Sequence, residues 1–337
     1  MKVAVLATSR IAIPAPKYGG VELMIENLTE GLVKAGVDVT LFATGDSKTS
    51  AKLRYIHEKA IWPSNDIAEN YHVKWAVESI KKEGFDIVQA NNISILPFSK
   101  YLDIPIVYTI QHLKDIRYKI YEANPQIHYV AVDISQKDEN YFLANFQIIP
   151  YGISKDDYVL SKKENYLAFL GRFSQYKGTH IAIDIARKLN IKIKVAGTYC
   201  NDEEKEYFDK ELKWRFRLPL VEYIGEIGKE EKKNFLSKAK ALLMPISWEE
   251  PFGVVMIEAM FSGTPVIAFN LGSVPRIIKN GINGYIIEKD NVKKMLETIS
   301  LIDKIDPVKC RNYTIENFSR ELMLKKYLKL FNSILDK

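Results

Sequence analysis

The sequence predicts an α/β fold built as two doubly wound parallel-sheet halves that face each other across a cleft. Three observations predict it. Short apolar runs alternate with amphipathic helical stretches along the whole chain. The apolar runs show no clean in–out alternation, as parallel strands covered on both faces should. A charged, turn-rich stretch from Ser154 to Glu164 interrupts the pattern, which then starts again. At 337 residues the chain has the length of two domains, expected at 1–155 and 156–315 with a terminal segment over 316–337.

In order, Val3–Ala7 reads as a first buried strand, too short and too soon followed by Pro14 and Gly19-Gly20 to be a secretion signal. Val21–Ala35 is a helix stopped by Gly36. Val39–Ala43, Ile87–Ala90, Ile104–Thr109, His128–Val132 and Phe146–Ile149 are strands, with a helix over Ala68–Lys82. In the second half the strands are Tyr166–Leu170, Lys192–Ala196, Val221–Ile224, Ala241–Pro245, Thr264–Ala268 and Asn283–Ile287. Helices are expected over Thr179–Leu189, Lys229–Ala239, Val254–Phe261 and Val274–Asn280, and a long amphipathic one over Glu316–Leu335. The β-α alternation calls for right-handed crossovers in each half, and a cleft between two domains is a preferred ligand site.

Composition narrows the functions. Hydrophobic residues make up 47% and charged residues 27%, an ordinary globular balance. The net charge of +6 is mild, and the lysine pairs, such as Lys81-Lys82 and Lys232-Lys233, are scattered among acidic residues. They read as solvated helix faces, so no nucleic-acid partner is expected, and contact with an anionic membrane surface is the weaker alternative. Two cysteines without metal or disulfide spacing point to free thiols in a reducing cytoplasm. No apolar run reaches the roughly 18 residues a membrane span needs.

The most informative stretch is Glu250-Pro251-Phe252-Gly253-Val254-Val255-Met256-Ile257-Glu258. It sits where a strand ends and a helix begins, the place where open α/β sheets bind ligands. Pro251 can open the helix, and the N–H groups of Gly253 and Val254 would point out of its start toward a phosphate. Glu250 lies in the loop. Glu258, two turns into an apolar helix, must find donors, and a ribose diol supplies two. Eight helical residues span at most about 12 Å, the reach of a nucleoside diphosphate from ribose to attached sugar. The competing reading of Glu258 is a helix charge paired with a lysine. Gly171-Arg172-Phe173-Ser174-Gln175-Tyr176-Lys177-Gly178 follows the first strand of the second half and offers two cations suited to a diphosphate; alone, it also reads as two exposed cations flanking a turn. Tyr18-Gly19-Gly20-Val21-Glu22 opens the first helix, either as a close-approach loop for a phosphate or as a plain turn. His112 lies at a strand's carboxyl end, and a lone histidine is as readily structural. There is no Asp-x-Asp, no Gly-Lys-Ser/Thr phosphate loop and no Gly-x-Ser-x-Gly elbow, and the histidines have no metal-ligand spacing, so no metal and no cofactor are expected.

Taken together and in order, these motifs resemble glycosyltransferase family 4, retaining enzymes of the GT-B fold, over nearly the whole chain. Pro150-Tyr151-Gly152-Ile153, Gly263-Thr264-Pro265-Val266-Ile267 and Gly272-Ser273-Val274-Pro275 fit the same pattern. The compact length and Trp248-Glu249-Glu250-Pro251-Phe252-Gly253 look most like the short subgroup that includes the avilamycin-pathway transferase. The resemblance implies two Rossmann-like domains, the first on the acceptor side, the second binding the nucleotide sugar, with the terminal helix crossing back to the first. It implies that Arg172 and Lys177 bind the donor diphosphate and that Gly19 and Gly20 let the first domain close on the distal phosphate. Gly171 belongs to the same donor loop. Glu250 contacts the donor sugar, backbone groups at Phe252, Gly253, Val254 and Val255 meet sugar or phosphate, and Glu258 holds the ribose. His112 stands beside the sugar, so the catalytic set is His112, Arg172, Lys177 and Glu250. Two positions depart from the common pattern: Tyr151 stands where Asn is frequent, and Gln111 precedes His112.

The expectation is therefore a cytoplasmic hexosyltransferase of polysaccharide or lipid-linked glycan assembly, at most peripheral to the membrane. It would use a UDP- or GDP-sugar and a glycan, lipid-linked or small-molecule acceptor, without metal. A nucleotide-sugar epimerase of the same fold and a non-catalytic nucleotide-sugar-binding subunit are the alternatives.

Overall fold

The structure, a computed structural model, describes residues 1–17, 19–113 and 117–336. The chain forms two compact units, Met1–Ile153 with Ser319–Lys337, and Ser154–Phe318.

The first unit is built on a seven-stranded sheet of β1 (Lys2–Leu6), β2 (Asp38–Phe42), β3 (Lys52–Arg54), β4 (Ile87–Ala90), β5 (Ile106–Ile110), β6 (His128–Ala131) and β7 (Phe146–Ile148). All pairings are parallel, in the order β3-β2-β1-β4-β5-β6-β7. The central strands are buried along their length, which is why they read as unbroken apolar runs. Helices α1 (Gly20–Lys34), α2 (Asp66–Glu83), α3 (Ser99–Leu102) and α4 (Tyr118–Glu122) connect them. The Asn65 side chain caps α2 by accepting from the Ile67 and Ala68 N–H groups, and Gly84 ends it in the left-handed region at φ 64°.

The second unit carries β8 (Tyr166–Leu170), β9 (Lys192–Ala196), β10 (Val221–Gly225), β11 (Ala241–Met244), β12 (Val266–Phe269) and β13 (Gly284–Ile287), parallel in the order β10-β9-β8-β11-β12-β13. Its helices are α5 (Thr179–Lys188), α6 (Asp202–Tyr207), α7 (Lys229–Lys238), α8 (Val254–Phe261), α9 (Val274–Ile277), α10 (Val292–Ile299) and α11 (Pro307–Phe318). α12 (Arg320–Leu335) belongs to the first unit.

Three expectations need correction. The tail is not one helix from Glu316: Ser319 is extended at φ −70° and ψ 150°, and separates α11 from α12. The cause is pairing with a segment distant in sequence, because Ser319 bridges Ile153 and the Arg320 N–H donates to the Ile153 carbonyl at 2.9 Å. Pro251 does not open α8, which starts at Val254, so Glu258 lies just over one turn in. The helix expected to Asn280 stops at Ile277, because Ile278 turns extended. The sequence reading also passed over β3, α6 and the π-helical turn Phe208–Leu212 that continues α6.

Candidate active site

In the second unit, β8 and β11 are neighbours, and the winding of the sheet reverses between them. The loops leaving their carboxyl ends therefore lie side by side at a topological switch point, the usual crevice for ligands in such sheets. Two contacts bind the loops together. The Ser247 N–H donates to the Tyr176 carbonyl at 2.9 Å. Gly178, at φ 74°, lies so close to Pro245 that a Cβ there would run into the Pro245 carbonyl.

From the first loop come Gly171, Arg172 and Lys177. The Gly171 N–H extends the ladder by donating to the Ala196 carbonyl at 3.1 Å. The Arg172 guanidinium sits 2.9 Å from Glu204 of α6 and donates to the Tyr176 hydroxyl. The Lys177 ammonium pairs with Glu250 Oε2 from the second loop and lies 4.6 Å from the centre of the Trp248 ring. The Trp248 indole N–H donates to the same Oε2 at 3.0 Å, and the Trp248 and Tyr176 rings are 5.0 Å apart. Glu250 is only 7% exposed.

The second loop is braced from behind. The Ser273 N–H donates to the Glu250 carbonyl and the Ser273 hydroxyl to the Phe252 carbonyl, each at 2.9 Å. Gly253 precedes α8 at φ 68°, a conformation that strains other residues, and a Cβ there would lie 2.7 Å from the Met256 methyl. No side chain caps this helix start. The N–H groups at Val254 and Val255 thus open a helix whose dipole favours an anion. One turn on, Glu258 is 4% exposed. Lys232 of α7 meets its Oε1 at 2.5 Å, and the Tyr158 hydroxyl donates to the same atom at 2.8 Å.

Gly19, Gly20 and His112 belong to the first unit. Gly19 caps α1 and Gly20 is its first residue; Tyr18 lies outside the described residues. A Cβ on Gly19 would come within 2.8 Å of Glu22 Oε2. Glu22 is buried, and burial pushes its carboxyl up to about 7 against the pull of Arg10. His112 follows β5 and stacks on Tyr121, with ring centres 5.8 Å apart. Its Nε2 meets the Tyr121 hydroxyl and its Nδ1 the Leu113 carbonyl, so both ring nitrogens are engaged.

Sequence reasoning gave no site role to Tyr158, Tyr176, Glu204 or Trp248, and it read Lys232 as part of a solvated helix face, whereas its side chain is only 17% exposed because it pairs with buried Glu258. Tyr176 and Trp248 carried a signal, since each adjoins a motif residue; Tyr158, Glu204 and Lys232 are joined to theirs only through space. Among the described residues no group of three or more His, Cys, Asp or Glu side chains is placed to hold a metal ion. None of their helices is long and apolar enough to cross a membrane.

The chain is similar to known glycosyltransferases. The family described as Glycosyl transferases group 1 matches residues 152–318, and that described as Glycosyltransferase Family 4 matches residues 18–145. The O-antigen chain mannosyltransferase C of Escherichia coli is 20% identical, with 95% of each chain covered. Two other curated relatives are matched over only about half their length, 48% and 53%. Among solved structures, AviGT4, a glycosyltransferase involved in avilamycin A biosynthesis, superposes with a TM-score of 0.76 at 20% identity, covering 100% of this chain and 98% of that one. Anabaena Alr3699/HepE, solved in complex with UDP-glucose, gives 0.77 at 17% identity, covering 99% and 100%. With two parallel-sheet units, these neighbours and both family matches, the chain belongs to the glycosyltransferases of the GT-B fold and family 4 type.

Proposed function

We propose that the protein moves a sugar from a nucleoside-diphosphate sugar to a glycan, lipid-linked or small-molecule acceptor, with retention at the anomeric carbon and without a bound metal. The observation that carries this reading is the convergence of Arg172 and Lys177 from one loop with Glu250 and the uncapped start of α8 from its neighbour. Departure of a diphosphate leaves an oxocarbenium-like sugar and a growing negative charge. Two fixed cations and a helix N-terminus aimed at that charge stabilise the transition state more than the ground state. Glu258 takes the ribose and Glu250 the sugar. Glu250 is not assigned as a covalent nucleophile, because a front-face displacement needs none, and its Oε2 is already shared by Lys177 and the Trp248 indole N–H. The leaving phosphate itself takes the acceptor's proton.

The names of the relatives support the donor class. The Anabaena neighbour is described with UDP and UDP-glucose, and the Escherichia coli relative as a mannosyltransferase. We therefore read the donor as a UDP- or GDP-hexose and assign the acceptor side to the first unit. Free Cys200 and Cys310 fit a reducing cytoplasm. The test is a thermal-shift screen with UDP, GDP, ADP and their sugars, since a ligand of the folded state raises stability by mass action. A shift with one nucleotide and a larger one with its sugar is expected; no shift with any of them would sink the reading.

A further inference from the structure

Glu250 and Glu258 are held in the same way. Each is buried, and each receives one lysine ammonium and one aromatic hydrogen-bond donor on a single oxygen. On Glu250 that oxygen is Oε2, shared by Lys177 and Trp248. On Glu258 it is Oε1, shared by Lys232 and Tyr158. Among the described residues no donor reaches Glu250 Oε1 or Glu258 Oε2. A carboxylate offers about four lone-pair sites over its two oxygens, and neither Glu250 Oε1 nor Glu258 Oε2 is among the buried side-chain atoms that lack a partner, so each opens toward solvent. Both oxygens are therefore acceptors that a hydroxyl donor from solvent can reach.

The two partners on each carboxylate do different work. An ammonium on a flexible stem is a point charge that follows either oxygen, and the last torsion of a glutamate is soft. Coulomb attraction alone would let the carboxylate turn over. An N–H or O–H carried on a packed ring is directional. The Trp248 ring packs on Tyr176, and the Tyr158 ring is buried 6.0 Å from Phe261, with its backbone carbonyl held by Arg311 at 2.7 Å.

We propose that Trp248 and Tyr158 are positioning residues that select which oxygen of each carboxylate meets the donor. Trp248 aims Glu250 Oε1 at a hydroxyl of the transferred sugar, and Tyr158 aims Glu258 Oε2 at a ribose hydroxyl. This rests on the donor-site reading above.

Trp248→Phe and Tyr158→Phe keep a ring and remove only the donor. UDP and GDP affinity is measured by calorimetry, and turnover as nucleotide released from UDP-glucose and GDP-mannose. Tyr158→Phe should raise the Kd of the nucleotide that binds by roughly tenfold, the effect of one hydrogen bond to a charged group, with turnover at saturating donor within about twofold. Trp248→Phe should leave that Kd within about twofold and lower turnover roughly tenfold. Trp248→His, which restores an N–H, should recover part of the loss. Equal effects of the two Phe variants on nucleotide affinity, or wild-type behaviour of both, would overturn the proposal. If Lys177→Ala and Glu258→Ala also bind nucleotide like the wild type, the donor-site reading fails first and takes the proposal with it. If those two weaken binding and Tyr158→Phe does not, only the positioning role fails.

Discussion

The Tyr151 hydroxyl donates to the Gln111 side-chain oxygen, joining the loop after β5 to the segment that follows β7. The bond starts a buried polar chain. Gln111 donates to Asn91 at 3.0 Å, Asn91 to Gln89 at 2.8 Å and Gln89 to Thr109 at 2.9 Å. Thr109 and the Tyr327 hydroxyl of α12 are 2.8 Å apart. Tyr151→Phe should cost about 1–3 kcal/mol by orphaning the Gln111 oxygen. The double variant with Gln111→Met should cost less than the two single changes together, a coupling that denaturant unfolding of the four proteins would reveal.

Glu22 gives the first unit a pH dependence of definite sign. Its folded-state pKa of about 7 stands above the ordinary 4.5. Between those values the folded protein keeps a proton that the unfolded chain has released, so stability falls as pH rises through the window, by up to about 3 kcal/mol. Buried His72, held down at about 4, works with the opposite slope, losing stability as pH falls below its ordinary 6.5. The clean comparison is therefore Glu22→Gln against wild type at each pH. The melting-temperature advantage of the variant should widen from pH 4.5 to 7.5.

Lys177→Ala removes the ammonium that joins the loops leaving β8 and β11. Turnover should fall by about a hundredfold or more, the loss seen when one preorganised group is deleted from a transition-state site. The melting temperature should move by only a few degrees. Glu258→Ala should weaken nucleoside diphosphate binding by calorimetry; wild-type affinity would contradict the ribose role.

Gly253→Ala isolates backbone from chemistry. The left-handed conformation costs an L-residue about 1–2 kcal/mol, and the new methyl would press on Met256 and on the Glu250 stem. Lower stability together with lower turnover is expected. A variant that lost neither would show that the loop can open α8 in another way.

Strands were legible because burial on both faces writes them as apolar runs; every strand expected from those runs is present, displaced by no more than two residues. β3 escaped notice because Lys52–Arg54 is a short, polar edge strand. α6 was legible and missed: Asn201 followed by Asp202, Glu203 and Glu204 is a capped, acidic first turn. The break at Ser319 could not be read locally, because its cause is pairing with distant Ile153. At the candidate site, residue type and spacing pointed to Glu250, Glu258, Arg172 and Lys177. They could not disclose that Glu258 meets a tyrosine 100 positions away, since Tyr158 carries no periodic or motif signal.

The placement of α12 also sets an order of assembly. Ser154–Phe318 is one uninterrupted stretch, whereas the other unit is made of two pieces. During synthesis residues 1–153 emerge before Ser154–Phe318 but are completed only after it. Until α12 leaves the ribosome, the Thr109 hydroxyl lacks Tyr327, and the apolar surface that Leu330, Phe331 and Ile334 will cover stays open to water. The later stretch can close its own sheet in the meantime. A nascent chain paused before Ser319 thus carries one finished unit and one uncovered one, and it is the Met1–Ile153 stretch that chaperones would have to shield.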